Sequence, residues 1–315
     1  MSSTFLGKHK IIAIVGPTAS GKTALALELA KMLDGEIISC DSMQIYKGMD
    51  IGTAKATSEE MQGIRHHLID TCEPRGEFSC AEYSALARAA IKDIQSRGKQ
   101  VIFCGGTGLY LDSVIGISAF SAAGSDENFR AEMSKKTPEE LHEMLREVDP
   151  ASAEAVHKNN VKRVIRALEI YHLTGKTKTE WDEKSREQKL PYESIIIGLD
   201  TRDRQVLYDR INRRVDIMMN AGLTDEVKRL DSPEFRQSTA ADGIGYKEIL
   251  AYFDGRCTFD EAIEQIKKNS RNYAKRQLTW FKRNKAVSWI FTDDFDGQDK
   301  FKLIVNSAIS IINNS

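Results

Sequence analysis

The first strong pattern in the chain is a continuous apolar run, Ile11-Ile12-Ala13-Ile14-Val15. Five apolar residues without alternation predict a strand covered on both faces, as in a parallel sheet. A helical pattern follows from Thr23 to Leu33, and Glu36-Ile37-Ile38-Ser39-Cys40 predicts a second strand. Ser79-Cys80-Ala81-Glu82 has the spacing of a reciprocal capping box and predicts a helix running to about Arg97. Gln100-Val101-Ile102-Phe103-Cys104 is another buried strand, stopped by Gly105-Gly106. Strand and helix in alternation predict an α/β core built on a parallel sheet.

The texture changes after Ile117. Residues up to about Leu190 are polar and helical in pattern, and Thr137-Pro138-Glu139-Glu140 starts a helix with proline at its first position. Ser194 to Leu199 returns to a buried strand. Helices dominate after Asp203, with one more strand candidate at Val287–Phe291. The expected organisation is residues 1–116 as the first part of the core, 117–190 as a helical insertion, and 191–315 as the continuation of the core with basic C-terminal helices.

Composition narrows the classes. The chain has 315 residues, with 45 Lys and Arg against 46 Asp and Glu, a formal net charge of −1. That excludes a globally basic nucleic-acid binder but leaves room for a local basic face. Hydrophobic residues at 41% and charged residues at 29% fit a soluble globular protein. The five cysteines, at 40, 72, 80, 104 and 257, form no Cys-x-x-Cys pair, and their odd number fits reduced thiols in the cytoplasm. The six histidines make no ligand pattern; His66 and His67, being adjacent, point apart. No apolar run approaches the roughly 20 residues of a membrane span, and Met1–Lys10 lacks the pattern of a secretory signal.

Between the first strand and its helix stands Gly16-Pro17-Thr18-Ala19-Ser20-Gly21-Lys22-Thr23, which matches the phosphate-loop pattern G-x-x-x-x-G-K-[ST] in the right context. Such a loop wraps backbone N–H groups around the oxygens of a di- or triphosphate, with a helix N-terminus behind them. Lys22 supplies a point charge, and the Thr23 hydroxyl is a candidate ligand for Mg²⁺. This predicts a core like that of the P-loop NTPases, the ATP-binding type of nucleotide-binding fold. A switch or motor of that class carries an acid at the end of a later strand; here Val101–Phe103 ends in Cys104-Gly105-Gly106-Thr107. The second strand instead runs into Asp41. Ligands in open α/β sheets bind beyond the carboxyl ends of the strands, so Asp41 is expected beside the phosphate loop. It is either a general base there or a cap of the next turn.

Asp41-Ser42-Met43-Gln44-Ile45-Tyr46-Lys47-Gly48-Met49-Asp50-Ile51-Gly52-Thr53-Ala54-Lys55, taken with the phosphate loop, resembles the tRNA dimethylallyltransferases (isopentenyltransferases). The resemblance continues through His67-Leu68-Ile69-Asp70, Gly105 to Tyr110, Arg163 to Glu169, Arg210 to Val215, Gly222 to Val227, Ile244 to Glu248 and Ala274 to Phe281. It spans about residues 10–285. It departs at Ser118–Gly124, which lacks the family's prolines, and at Asn160-Val161-Lys162-Arg163, where many members have Asp-Pro-x-Arg. No Cys/His finger follows the basic helix, which places the resemblance with the bacterial type.

The resemblance implies transfer of a dimethylallyl group from its diphosphate to N6 of the adenosine 3′-adjacent to the anticodon of a tRNA, by a monomer using Mg²⁺. It implies that the phosphate loop, Gly16 to Thr23, holds the leaving diphosphate, that Arg214 neutralises charge growing on it, and that Asp41 takes the N6 proton. Thr107 matches a position touching the tRNA near the target base; read alone, it is a helix N-cap. Arg214 read alone is a surface helix arginine paired with an acid.

Charge supports RNA independently. Residues 267–285 hold Lys267, Lys268, Arg271, Lys275, Arg276, Lys282, Arg283 and Lys285 with no acid, and Tyr273, Trp280 and Phe281 interleaved. Lys162, Arg163 and Arg166 form a shorter stripe, the two arginines one helical turn apart. The alternative for both is a solvated helix face with the aromatics in the core. The expected tRNA-contacting set is Asp41, Ser42, Met43, Gln44, Thr107, Arg130, Lys162, Arg163, Arg166, Gly245, Tyr246, Lys247, Lys275, Arg276, Gln277 and Lys282. Two rival readings remain at the level of sequence: a P-loop kinase for a small metabolite, and a nucleotide-dependent RNA-binding switch.

Overall fold

The structure, a computed structural model, describes residues 10–76, 78–116, 124–187 and 192–315. The chain forms two compact units, one of Met1–Leu111 with Tyr192–Ser315, the other of Asp112–Pro191.

The first unit is built on six parallel strands: β1 Lys10–Val15, β2 Gly35–Ser39, β3 His66–His67, β4 Gln100–Gly105, β5 Glu193–Asp200 and β6 Val287–Phe291. Their order is β3-β2-β4-β1-β5-β6. β1 lies between β4 and β5, so Ile11 to Val15 are flanked on both edges, and all five are fully buried. That is why its sequence does not alternate. Leu25 and Leu29 of the helix Lys22–Met32 join Ile12, Ile14, Ile197 and Leu199 in one core with Ile304 and Ala308 of the helix Lys300–Asn313. Each fully buried aliphatic side chain of this kind contributes about 1.5–3 kcal/mol. The strands expected from the apolar runs at 11–15, 36–40, 100–104, 194–199 and 287–291 are all present, as are the capping boxes at Ser79 and Thr137.

β3 is the strand that apolar patterning missed. It has two residues, and both are histidines. Its place on the sheet is held by polar contacts: His66 Nδ1 lies 2.9 Å from the Ile64 carbonyl and His67 Nε2 2.7 Å from Glu36 Oε2. Arg97 forks onto the same carboxylate, with Nη2 2.8 Å from Oε2. The Arg97 guanidinium, aided by His67, draws the Glu36 carboxyl down to about 2 against the cost of its burial.

Two glycines let the strand ends come together. At Gly16 (φ 141°) an added Cβ would lie 2.3 Å from the Leu199 carbonyl oxygen, and at Gly105 one would lie 2.4 Å from that of Cys40. The C-terminal ends of β1, β2, β4 and β5 are thus packed backbone to backbone, and their following loops emerge side by side.

The second unit is helical throughout its described residues, with Leu141, Leu145, Val164 and Leu168 at its centre. Glu169, fully buried on the helix Val161–Thr174, accepts the Asp126 N–H at 2.8 Å and is gripped by Arg130 (2.8 Å) and Arg166 (2.5 Å).

In the first unit the loop after β2 is fixed by one carboxylate. Glu226, 1% exposed on the helix Leu223–Leu230, accepts the N–H groups of Asp50 (3.0 Å) and Ile51 (2.8 Å) on Oε2. Its Oε1 accepts the N–H of Gly52 (3.0 Å) and the hydroxyl of Tyr246 (2.6 Å). Lys55 ties the same loop from another side, donating to Asp50 and Asp70, both at 2.6 Å, and to the Tyr46 carbonyl at 2.9 Å. An amide in place of the carboxylate would turn a donor toward two of these donors. Each buried group left unpaired costs about 1–3 kcal/mol. Glu226→Gln is therefore expected to lower unfolding stability by about 2–4 kcal/mol in urea titrations, and Tyr246→Phe by about 1–2 kcal/mol. A Glu226→Gln protein within about 0.5 kcal/mol of wild type would refute the clamp.

Candidate active site

The loops after β1, β2 and β4 surround one cavity of about 300 Å³. The phosphate loop forms one wall, with Ala19 held at φ 61° and Gly21 at φ 93°. A non-glycine residue in the left-handed region is strained, and here it turns the loop between strand and helix. Lys22 curls back and donates to the Pro17 carbonyl at 2.6 Å. Burial pulls its ammonium down to about 8; the nearby Arg214 charge adds to this, while Cys104 and Asp41 oppose it. Thr23 stands exposed at the start of the helix. Burial pushes the Cys104 thiol up to about 11, against the opposing influence of Lys22 and Thr23.

Arg214, on the helix Arg204–Asn220, reaches the same cavity from another wall. Its Nη2 donates to the Thr53 carbonyl at 3.3 Å. Burial lowers its pKa, and Asp41 works against that shift. Among the described residues no acid forms a salt bridge with it, so the reading of a surface ion-paired arginine does not hold.

Asp41 caps a turn and also lines the cavity. Its Oδ1 accepts the Met43 N–H at 2.9 Å, a local turn cap, and its carboxylate lines the cavity with Lys22 and Arg214. Ser42, Met43 and Gln44 line it too. Gln44 is fixed at both ends, accepting from Ser39 Oγ (3.2 Å) and donating to the Thr53 carbonyl (3.3 Å). Thr107 is turned toward this loop. Its Oγ1 accepts the Ser42 N–H at 3.0 Å and donates to Ser42 Oγ at 3.2 Å.

Other expected contact residues divide. Lys275 and Arg276 are exposed on the helix Phe259–Phe281, Arg276 and Lys247 line the cavity, and Gly245 starts the helix Tyr246–Phe253 at φ 100°. Lys162 and Arg163 are exposed on the second unit. Tyr246 lines the cavity but is fully buried, its ring against Gly52 and its hydroxyl on Glu226, so it braces the loop and offers no exposed surface to RNA. Gln277 is 4% exposed, with both ends of its amide engaged inside the protein. Lys282 pairs with the buried Asp200 at 3.2 Å and lies over Trp289. Arg130 and Arg166 converge on Glu169, so Arg163 and Arg166 do not form one outward stripe.

Tyr273 is a cavity residue that sequence patterning leaves among the interleaved aromatics. The signal was present: Ile266, Ser270, Tyr273 and Gln277 follow the 4-3-4 spacing of one helix face, and all four line the cavity.

Comparison with known proteins gives the family. The family described as IPP transferase matches residues 44–284. A tRNA dimethylallyltransferase of Anoxybacillus flavithermus is 55% identical over 287 residues, covering 91% of this chain and 92% of the relative. One from Bacillus subtilis is 51% identical over 286 residues, 90% of each chain. The crystal structure of a tRNA isopentenylpyrophosphate transferase from Bacillus halodurans superposes with a TM-score of 0.72 at 46% identity, over 97% of both chains. A eukaryotic dimethylallyltransferase, described as acting on tRNA, reaches a TM-score of 0.81 at 29% identity, over 96% of this chain and 80% of that one. The chain belongs to the IPP transferase family.

Proposed function

We propose that this protein transfers the dimethylallyl group of dimethylallyl diphosphate to N6 of the adenosine 3′-adjacent to the anticodon of a tRNA. One observation carries the reading: the carboxylate of Asp41 faces the same cavity as the two cations Lys22 and Arg214. In the reaction the allylic C–O bond breaks, its electron pair leaves with the diphosphate, and a C–N bond forms to N6, which then loses a proton. Lys22, Arg214 and the phosphate-loop amides neutralise charge gathering on the leaving oxygens, in surroundings where burial strengthens each interaction. Asp41 holds the N6 amine and receives its proton. Thr107 acts through Ser42, keeping the loop that carries Asp41 in register. The adenine must leave its stack to reach Asp41, which costs a few kcal/mol.

Mg²⁺ fits the donors present. It needs only one or two protein oxygens beside phosphates and water, and the exposed Thr23 hydroxyl at the cavity is such an oxygen. When bound there, the ion would add positive charge against the diphosphate. Lys275, Arg276, Lys162 and Arg163, exposed and without an acid partner among the described residues, are available to RNA phosphates, as are Lys268, Arg283 and Lys285.

The reading is tested directly by incubating the protein with unmodified tRNA and dimethylallyl diphosphate and seeking a dimethylallyl mass increment on adenosine. No increment, or consumption of ATP instead, refutes it. Asp41→Asn keeps shape and a hydrogen-bond acceptor but cannot take the proton; single-turnover transfer should slow by about 10²–10⁴-fold with substrate affinities nearly kept. A rate within about threefold of wild type would leave Asp41 as a turn cap alone.

Lys22 is charged below about pH 8 in the empty cavity and loses that charge as pH rises through it. An ionised diphosphate favours the charged form. Donor affinity should therefore be full below pH 8, fall by up to about tenfold per pH unit above it, and be accompanied by proton uptake. Calorimetry at pH 9 in buffers of different ionisation enthalpy measures this, and Lys22→Arg should abolish the uptake.

Salt dependence checks the RNA face. A cation that neutralises one RNA phosphate steepens the slope of log K against log salt by roughly 0.7–0.9, so Lys275→Ala with Arg276→Ala should flatten it by about 1.5. Lys282→Ala should leave the slope unchanged, because that lysine serves Asp200.

A further inference from the structure

The family resemblance places Gln277 against RNA, but the structure puts it to another use. Gln277 is buried on the helix Phe259–Phe281, and its amide spans two catalytic loops. Oε1 accepts the N–H of Thr18, in the phosphate loop after β1, at 2.9 Å. Nε2 donates to the carbonyl of Gly106, in the loop after β4, at 3.1 Å. The fit is close: a Cβ added to Gly106 would stand 1.9 Å from Nε2. One helical turn earlier, the half-buried Tyr273 lines the same cavity, and its hydroxyl is influenced by both Thr107 and Gln277. Thr107, next to Gly106 in the chain, accepts the Ser42 N–H beside Asp41. A continuous path therefore runs from the cradle of the leaving group to the base: Thr18, Gln277, Gly106 with its neighbour Thr107, Ser42.

The chemistry of the side chain is specific to this task. A primary amide presents an acceptor and a donor on neighbouring atoms, as a backbone N–H on one side and a backbone C=O on the other require. A carboxylate could accept from Thr18 but would face the Gly106 carbonyl with no proton to give. It would also place a negative charge beside a loop built for phosphate. An aliphatic residue would leave both groups unpaired.

We propose that Gln277, supported by Tyr273, is a positioning residue that sets the distance between the diphosphate cradle and the acceptor loop carrying Asp41. Both ends of its amide are engaged within the protein. Transfer requires the allylic carbon and N6 to meet in line, and a misplacement of about 1 Å costs on the order of 10²-fold in rate. Loosening the strut should therefore lower kcat while leaving each substrate's own binding contacts in place.

The inference rests on the transferase reading, and the experiment separates the two. Full-length wild type, Gln277→Glu, Gln277→Leu, Tyr273→Phe and Gly106→Ala would be assayed with unmodified tRNA and dimethylallyl diphosphate, well below each variant's Tm. Expected are a fall in kcat of about 10–100-fold for the Gln277 variants and about 3–10-fold for Tyr273→Phe, with both KM values and the tRNA Kd within about threefold. Gly106→Ala, which pushes on the amide from the other side, should reproduce the kcat loss and add little when combined with Gln277→Leu. Weaker tRNA binding at unchanged kcat would overturn the proposal and restore Gln277 as an RNA contact. Wild-type kcat in variants with a lowered Tm would overturn it by leaving only a structural role. If a Gln277 variant does not fold, Tyr273→Phe decides alone, because it removes one oxygen and no packing volume. A wild type that transfers nothing refutes the underlying reading, and the proposal with it.

Discussion

Two cations, Lys22 and Arg214, are held mostly out of water against one cavity, and burial lowers the proton affinity of both. Such an arrangement is unfavourable in the empty protein, since each charge loses hydration and faces the other. It becomes favourable when an anion enters. Much of the first unit can be understood as structure that keeps these charges in place. Strand packing brings the phosphate loop to the cavity, with Gly16 and Gly105 permitting backbone contact between strand ends. The guanidinium is oriented by the Thr53 carbonyl, which is itself fixed because the preceding residues, 50–52, hang from Glu226.

Glu226 and Gln277 solve the same problem with different chemistry. Glu226 gathers donors alone, three amides and a phenol, so a carboxylate with two oxygens is the fitting group. Gln277 stands between a donor and an acceptor, so an amide is. Neither group faces bulk water, and both act on backbone. Loops carry the chemistry in this fold as in other α/β proteins, but loops alone are mobile. Buried polar side chains from neighbouring helices give these loops the rigidity that the strands could not supply.

This division explains what could be read in the sequence. Apolar runs of five or six residues revealed five strands, because a strand buried on both faces has few polar positions to obscure it. The phosphate loop and Asp41 were legible because their spacing relative to those strands is itself the geometry. β3 was not, since two histidines held by Glu36 and a carbonyl leave no apolar trace. Tyr246, Gln277 and Arg166 stand in matched motifs, where polar residues look like tRNA contacts, and Arg130 is expected to act in the same way. Their inward use depends on acids and backbone groups distant in the chain, as Arg130 on Glu169 and Tyr246 on Glu226 illustrate. Periodicity along the helix Phe259–Phe281 held part of the answer, since Tyr273 and Gln277 share its cavity-facing side.

The same helix shows why counting cations overstates an RNA surface. Of its basic residues and those just beyond it, Lys267 is held by Asp216 and Glu264, Arg271 by Asn212, and Lys282 by Asp200, which Arg204 also grips. Cations already satisfied inside the protein have less to gain from a phosphate, because the new contact must replace an old one. Lys275, Arg276 and Arg283 stand over the rings of Tyr208, Tyr273 and Trp280 instead, and Lys268 and Lys285 are exposed with no acid partner among the described residues. An aromatic face orders a cationic side chain without pairing it with an acid, so these groups stay open to a phosphate. In a chain of net charge −1, such a segment is a local basic face rather than part of an overall positive field.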